Sequence, residues 1–343
     1  MTQINRVGRQ TRRRFLQQST VATAAIMTQG LSQTSQATAA DYSRITTNDF
    51  LGPVEILVKI EDENVFTEGP AAAPDGSLLF TNVPVSKILK WDPCAKQLTV
   101  FRDKSNEANG LFFAQDGSLL ACEGGTARVT RTDAKTGEVE IIAESYQGKR
   151  LAKPNDLCMD NRGRIYFSSR SGVDDPEGEN AKAVYRIDLD GSLHQILAWP
   201  EVHMPNGIVI SPDNKKLYLI EAHPDADHHR DIRVYDLNMD GSVSNGRVLI
   251  DFYPGRSGDG MCIDADGNLY VAAGLHRTRN TSETLDTKPG IHVVSPEGKL
   301  LAYRETPEDT ITNCTFGGDD MKTLYVTCGS LLLSIPTQIA GKR

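Results

Sequence analysis

The stretch MPNGIVISPDNKKLYLIE, Met204 to Glu221, decides the fold because its pattern recurs along the chain. An Asn-Gly pair opens a short apolar run, a turn follows, and a second apolar run completes a β-hairpin. Taken alone, Asn206-Gly207 indicates a turn, since both residues tolerate positive φ. Five other segments carry the same turn and strand, 41 to 53 residues apart: PDGSLLFTN (74–82), QDGSLLACE (115–123), NRGRIYFSS (161–169), ADGNLYVAA (265–273) and GDDMKTLYVTC (318–328).

The repeat predicts an all-β fold, a six-bladed β-propeller. Five of the six copies are followed by a second hairpin, so that four strands recur about every 45 residues. The sixth copy has only LLLSIP after its first hairpin, and VEILVKI (54–60) could supply the missing outer strand and close the ring. A parallel α/β fold is disfavoured, because no long helical periodicity separates the strands.

The N-terminal segment has the character of a targeting signal. TRRRFLQ (11–17) resembles the twin-arginine export signature, and ATAA (37–40) suits cleavage by signal peptidase. We therefore predict a signal peptide over residues 1–40, a propeller domain over residues 41–343, and export to the periplasm. The alternative for the N-terminal segment is a disordered basic tail.

The charge distribution limits the possible partners. Residues 1–40 hold five Arg and no acid, which leaves 32 basic against 45 acidic side chains, a net charge of −13, in the rest. Such an acidic body argues against nucleic acid or an anionic membrane as partner and is compatible with cation binding. We expect a monomer that acts on a small molecule, with no membrane association after signal cleavage.

The six cysteines show no metal-binding spacing, since no CxxC or Cys/His pattern occurs. Most lie in or beside apolar strand-like runs, where a lone Cys behaves as a small core residue. We interpret them mainly as buried thiols, with a pair that joins neighbouring strands as the alternative: Cys94, Cys122, Cys158, Cys262, Cys314 and Cys328.

A ring of oxygen-bearing side chains predicts a cation site in the centre of the propeller. Counting back seven residues from the middle of each repeated turn leads to a carboxylate or carboxamide, and equivalent positions lie around the central channel. Two buried carboxylates would repel one another unless a cation lay between them. Oxygen ligands favour Ca²⁺, or Mg²⁺ and Mn²⁺, over Zn²⁺. The alternative is polar filling of a watery channel. The positions are Glu68, Asn109, Asn155, Asn206, Asp259 and, in the sixth copy, Asn313 in preference to Thr312.

Several motifs give the chain a specific family resemblance. The stretches FTEGPAAAPDGSLLFTN, KPNDLCMDNRGRIYF, MPNGIVISPDNKKLYLIE, SGDGMCIDADGNLYVAAG and TNCTFGGDDMKTLYVTC occur in order from about residue 50 to the C-terminus. They resemble the family of gluconolactonases, regucalcin and luciferin-regenerating enzyme. The resemblance implies a six-bladed propeller with one catalytic divalent metal, usually Ca²⁺ or Zn²⁺, that hydrolyses lactones.

The resemblance also implies roles for single residues. Glu68, Asn206 and Asp259 match the metal ligands of the family, and Asn155 matches a metal ligand or substrate contact. Asp259 also matches the proposed proton acceptor and donor. Lys153 stands where regucalcin has a substrate-binding Arg, a departure that puts sugar contacts of that type in doubt.

Three long loops on the ring face are predicted to wall a substrate pocket: residues 169–183, 222–231 and 273–290. Arg170, His223 and His276 in these loops are candidate substrate contacts, as is Asn109 of the ring, and His203 lies just before the fourth ring position. A surface or packing role is the open alternative for each loop residue.

The mechanism that follows is hydrolysis of a sugar lactone or a related lactone. A metal polarises the carbonyl while Asp259 takes a proton from the attacking water and returns it to the departing ring oxygen. Two alternatives remain: a metal-dependent phosphotriesterase of the diisopropyl fluorophosphatase type, and a non-catalytic propeller with a structural metal and partner-binding loops.

Overall fold

The computed structural model describes residues 38–170 and 182–342, which form β-strands with three short 3-10 helices, Tyr42–Arg44, Thr47–Asp49 and Val83–Val85. In chain order the strands are β1 Thr38–Ala39, β2 Glu55–Lys59, β3 Thr67–Ala72, β4 Leu78–Asn82, β5 Lys87–Asp92, β6 Gln97–Arg102, β7 Ala108–Phe113, β8 Leu119–Glu123, β9 Arg128–Thr132, β10 Val139–Ala143, β11 Ser145–Tyr146, β12 Lys149–Arg150, β13 Pro154–Met159, β14 Ile165–Ser169, β15 Ala183–Ile187, β16 Leu193–Ala198, β17 Pro205–Ile210, β18 Lys216–Glu221, β19 Asp231–Leu237, β20 Val243–Asp251, β21 Gly258–Ile263, β22 Leu269–Ala273, β23 Gly290–Val294, β24 Leu300–Glu305, β25 Ile311–Gly317, β26 Thr323–Cys328 and β27 Leu331–Pro336.

Six sheets, each with four antiparallel strands, confirm the six-bladed propeller: five are built from four consecutive strands, and the sixth takes one strand from the start of the chain. Blades one to five are β3–β6, β7–β10, β13–β16, β17–β20 and β21–β24. Blade six is β25–β27 with β2 on its outer edge, where Ile56 lies opposite Leu333. The expectation that residues 54–60 supply the last outer strand is therefore confirmed, and it joins the two ends of the ring without leaving β27 as an open edge.

The hydrophobic core lies between the blades. Among the described residues, six apolar clusters each combine side chains from two neighbouring blades. Between blades two and three, for example, Leu120 and Cys122 pack against Phe167 and Tyr185, all fully buried. Because the apolar surface is buried between blades, the innermost strands are left to line a central channel with polar side chains.

Residues 38–47 lie along the outside of blades four and five. Thr38–Ala39 pairs in parallel with Ile250–Asp251 of β20, and the Tyr42 hydroxyl lies 2.8 Å from His292 Nε2. Residues 38–40, predicted to belong to the signal peptide, thus contact the propeller, while the rest of that prediction lies outside the described residues. Within 38–170 and 182–342, no helix has the length and apolar character to span a membrane.

Candidate functional site

The predicted ring residues occupy equivalent places in the innermost strands. In each blade, the first residue of the innermost strand pairs with the last residue of the following strand, and the ring residue comes directly after that first residue. Just beyond this point the register shifts, so that Asn206 and Gly207 of β17 stand opposite Ile220 alone. The structure thereby brings together five ring positions: Glu68, Asn109, Asn155, Asn206 and Asp259.

The sixth ring position is Thr312, so the preference for Asn313 was wrong. Ile311 pairs with Cys328, the last residue of β26, which makes Thr312 the equivalent of Asn206. Strand β25 has seven residues where the other innermost strands have six, so counting back from Asp320 ends one residue too late. Thr312 Oγ1 donates to the Thr67 carbonyl at 2.7 Å and links blade six to blade one.

A second layer of the channel follows the ring by one residue and contains Asp156, which the sequence reasoning missed. Asn313 Nδ2 donates to Asp156 Oδ2 at 3.3 Å from the far side of the channel. Glycines stand at the other positions because there is no room for a side chain: a Cβ on Gly260 would lie 2.0 Å from Asn313 Cγ, and one on Gly110 2.7 Å from Asp156 Oδ1.

Three carboxylates are therefore buried in the channel, with Glu68, Asp156 and Asp259 only 3%, 7% and 6% exposed. Burial, and then the charges of Asp259 and Asp156, raise the pKa of Glu68 well above its usual value. Burial also raises the pKa of Asp156 to about 7, against hydrogen bonds from Leu157 N–H and Asn313 and with a small further rise from Asp259. The ionised forms of Glu68 and Asp156 are therefore less stable in the channel than in water.

Two arginines contact the Asp259 carboxylate. Arg256, which is 7% exposed, donates to Asp259 Oδ2 and also to the Ile311 carbonyl at 3.1 Å. Arg170 Nη1 lies 3.9 Å from Asp259 Oδ1, and Asn206 Nδ2 donates to that oxygen at 2.5 Å. Arg256 was not predicted. Its place three residues before Asp259, on the loop that leads into β21, was the only available signal.

The donor set suits a hard divalent cation, because it consists of oxygen atoms and carries excess negative charge. Three buried carboxylates face two guanidinium groups, and no hydrogen bond among the described residues involves the carboxamides of Asn109 or Asn155. No group of three or more His, Cys, Asp or Glu in the described part of the chain is arranged to hold a metal ion. Carboxamide oxygens would therefore have to complete any ligand set.

The structure separates the other predicted substrate contacts: Arg170 reaches the ring, whereas His276 does not. Arg170 Nη2 also lies 3.2 Å from Met204 Sδ. Lys153, two residues before Asn155, is half-exposed and lies 3.7 Å from a Glu107 carboxylate oxygen. His276 is not brought to the ring: its Nε2 lies 2.7 Å from the Thr306 carbonyl, in a groove lined by Val54 and Ile56 at the outer side of blade six.

His203 and His223 belong to a cluster of imidazoles at the ring end of blade four. His203 stacks on His229 and His223 on His228, with ring centroids 3.7 and 3.8 Å apart. Burial is the main cause that lowers the pKa of His203, His223 and His229 to about 4, so these rings are neutral near pH 7. The predicted loop 222–231 thus contributes His223, His228 and His229 to these stacked pairs, whereas residues 171–181 of the loop 169–183 lie outside the described residues.

Comparison with known proteins identifies the family. Residues 66–330, a range that includes every ring position, match the SMP-30/Gluconolactonase/LRE-like region. The chain belongs to this family. The resemblance inferred from the motifs is thereby confirmed.

Relatives and solved structures agree with this assignment. A gluconolactonase of Zymomonas mobilis is 27% identical over 321 residues, covering 85% of this chain and 83% of that protein. Regucalcin of Sus scrofa is 30% identical over 264 residues, covering 74% and 79% of the two chains. The structure of a gluconolactonase from Xanthomonas campestris superimposes with a TM-score of 0.71 at 27% identity, covering 88% of this chain and 97% of that one. These similarities support a lactonase-like function.

Proposed function

We propose that this protein is a hydrolase that opens a sugar lactone or a related lactone in a reaction that depends on a divalent cation. The observation that carries the proposal is the arrangement around Asp259. A buried carboxylate is held by Asn206 and Arg256 in a channel that also contains Glu68 and Asn155, whose carboxamide makes no hydrogen bond to the other described residues. The gluconolactonase relatives indicate the class of reaction, and the channel contains the carboxylate and carboxamide groups that such a reaction requires.

Glu68, Asn155, Asn206 and Asp259 are the residues that would hold the cation. Ca²⁺ is the ion we propose, because every donor is an oxygen atom and two are neutral carboxamides. A bound divalent cation supplies Lewis-acid polarisation of the lactone carbonyl. Its charge would also offset the repulsion that raises the pKa of Glu68. The carboxamides of Asn155 and Asn206 orient ligands without adding negative charge.

Asp259 is the proton acceptor and donor in this proposal. Its two oxygens accept hydrogen bonds from Asn206 and Arg256, so the plane of the carboxylate is fixed before substrate arrives. The carboxylate takes a proton from the water that attacks the acyl carbon. It then returns that proton to the ring oxygen as the acyl C–O bond breaks, which gives the open hydroxy acid.

Arg170 and Lys153 are positioned to contact the substrate rather than the reacting proton. Arg170 extends from the end of β14 to within 3.9 Å of Asp259 Oδ1, so it can donate to a substrate oxygen beside the ring. Lys153 is half-exposed, and its weak contact with Glu107 leaves it free to turn towards a ligand. Both cations would bind oxygen-rich substrate groups.

The test of this proposal is hydrolysis of glucono-1,5-lactone and a panel of other lactones, measured by the protons that the acid product releases. We expect Asp259→Asn to keep the fold and to lose roughly 10²–10⁴-fold in turnover, the range for loss of a general acid–base group. Asp213→Asn, in an exposed turn at the other end of its blade, is the matched control and should keep full activity. Full activity of Asp259→Asn, or no lactone turnover by the wild type, would overturn the proposal.

We also propose that the protein is exported to the periplasm by the twin-arginine route, from the TRRRFLQ motif at 11–17. Replacing Arg12 and Arg13 together by Lys should leave the protein in the cytoplasmic fraction. Unchanged recovery of that variant from the periplasm would show that the motif is not the export signal.

A further inference from the structure

We propose that Cys262 and Cys314 are a site of disulfide formation that joins blade five to blade six beside the channel. Their sulfur atoms lie 3.6 Å apart, although 52 residues separate them in the chain. All six cysteines fall within the described residues, and no other pair of sulfur atoms lies within bonding contact there. The inference does not depend on the proposed reaction.

The fold holds the two thiols in place from both sides. Cys262 lies on β21 and Cys314 on β25, the innermost strands of two adjacent blades that pack against one another. Cys314 is 3% exposed and belongs to the apolar cluster between these blades, and Cys262 packs against the same cluster. The backbones on either side are parts of well-formed sheets, so the pair does not depend on a loop.

The remaining distance between the two sulfur atoms is short. A disulfide bond is about 2.05 Å long, so the sulfur atoms must approach by roughly 1.6 Å, shared between two side chains. The contact given up is a hydrogen bond from Cys314 Sγ to the Tyr270 carbonyl at 3.1 Å. A thiol is a weak donor, so this loss is small.

The reaction needs an external disulfide as the oxidant. Cys262 is the partly exposed member of the pair and meets the external disulfide first, although burial and the neighbouring Cys314 thiol raise its pKa and so slow the step. Its thiolate attacks the external disulfide, releases one thiol and leaves a mixed disulfide on Cys262. Cys314 then attacks the Cys262 sulfur, and the second external thiol leaves. Two protein thiols lose two protons and two electrons in total, and the external disulfide gains them.

The cross-link would tie together the two strands that carry Asp259 and Thr312. Cys262 follows Asp259 by three residues, and Cys314 follows Thr312 by two. Closing a loop of 52 residues lowers the conformational entropy of the unfolded chain. We expect the midpoint of thermal unfolding to rise by roughly 5 °C in the oxidised protein.

The experiment uses the full chain, treated with oxidised glutathione, alkylated under denaturing conditions and digested with trypsin. We expect a disulfide-linked pair of peptides, 257–277 and 305–322, each of which contains a single cysteine. The unfolding midpoint should rise on oxidation and return on treatment with dithiothreitol. Cys262→Ala and Cys314→Ala should abolish both effects, while Cys158→Ala, which removes a buried cysteine from another blade, should keep them.

Two results would overturn the proposal. One is alkylation of all six thiols in the oxidised wild-type protein, and the other is a linked peptide pair that lacks Cys262 or Cys314. Because both are read from the wild-type protein, the proposal stays falsifiable even where an alanine variant fails to fold.

Discussion

Replacing Asp156 by Asn should stabilise the cation-free protein at neutral and alkaline pH. Asp156 is buried beside Asp259, and its pKa is raised from 3.8 to about 7. The folded state therefore holds the Asp156 proton more tightly than the unfolded state. Between pH 4 and pH 7 the unfolded chain binds fewer protons at this group, so the stability of the wild type falls as pH rises through that window.

The size of the effect follows from the pKa difference. A shift of about 3 units at about 1.4 kcal/mol per unit gives roughly 4 kcal/mol, absent near pH 4 and fully developed near pH 8. An Asn at this position carries no charge and can still accept the hydrogen bond from Leu157 N–H, at 2.9 Å in the wild type. Its contact with Asn313 must rearrange, which lowers the gain by a constant amount at every pH.

The assay is urea unfolding of both proteins from pH 4 to pH 8 in the presence of a chelator. We expect the difference in free energy of unfolding to grow with pH in favour of Asp156→Asn, and to shrink when Ca²⁺ is added to both. Asp213→Asn is the control: the hydrogen bond from Ser211 lowers the pKa of Asp213, so that group titrates below the assayed window and its difference from the wild type should stay nearly constant from pH 4 to pH 8. A difference between wild type and Asp156→Asn that does not change with pH would refute the reasoning.

Two further predictions concern stability outside the channel. Arg230→Met should lower the free energy of unfolding by about 3–5 kcal/mol, because the 1%-exposed guanidinium donates to the carbonyls of His223, Pro224 and Pro254. Arg277→Met, at an 85%-exposed side chain, is the control, and equal urea midpoints for the two variants would contradict the prediction. His292 is fully buried, and burial lowers its pKa to about 4. As pH falls, the unfolded state therefore takes up a proton at this group before the folded state does. The free energy of unfolding should fall by up to about 3 kcal/mol between pH 6.5 and pH 4. His292→Phe should remove that part of the pH dependence, and an unchanged slope would show that another group causes it.

The propeller could be predicted from the sequence because its information is local and repeated. Each hairpin carries its own turn, as in PDGSLL (74–79) and ADGNLY (265–270), and the spacing of the turns gives the number of blades. The position of the closing strand followed from a count, since LLLSIP left blade six one strand short. Packing between the blades then depends on ordinary apolar alternation.

The channel could be predicted only in part because a bulge changes which residues face it. Counting from the turns found five ring positions, but it failed where β25 is one residue longer. A better signal was present, since Glu68, Asn109, Asn206 and Asp259 are each followed by Gly. That pattern marks the crowded second layer, and it would have assigned Asp156 to it, although it does not decide between Thr312 and Asn313 in blade six. The contact of Arg256 with Asp259 depends on the path of a loop, which no periodicity encodes.

The most direct test of the central claim is the metal dependence of kcat/KM for glucono-1,5-lactone. Protein stripped with a chelator should lose at least about 100-fold in kcat/KM and recover it when Ca²⁺, Mg²⁺, Mn²⁺ or Zn²⁺ is returned, with one ion most effective. Glu68→Gln should need a higher concentration of that ion for half-maximal recovery, since it removes one buried carboxylate from the ring. Full turnover by stripped protein in which no bound metal can be measured would contradict the account.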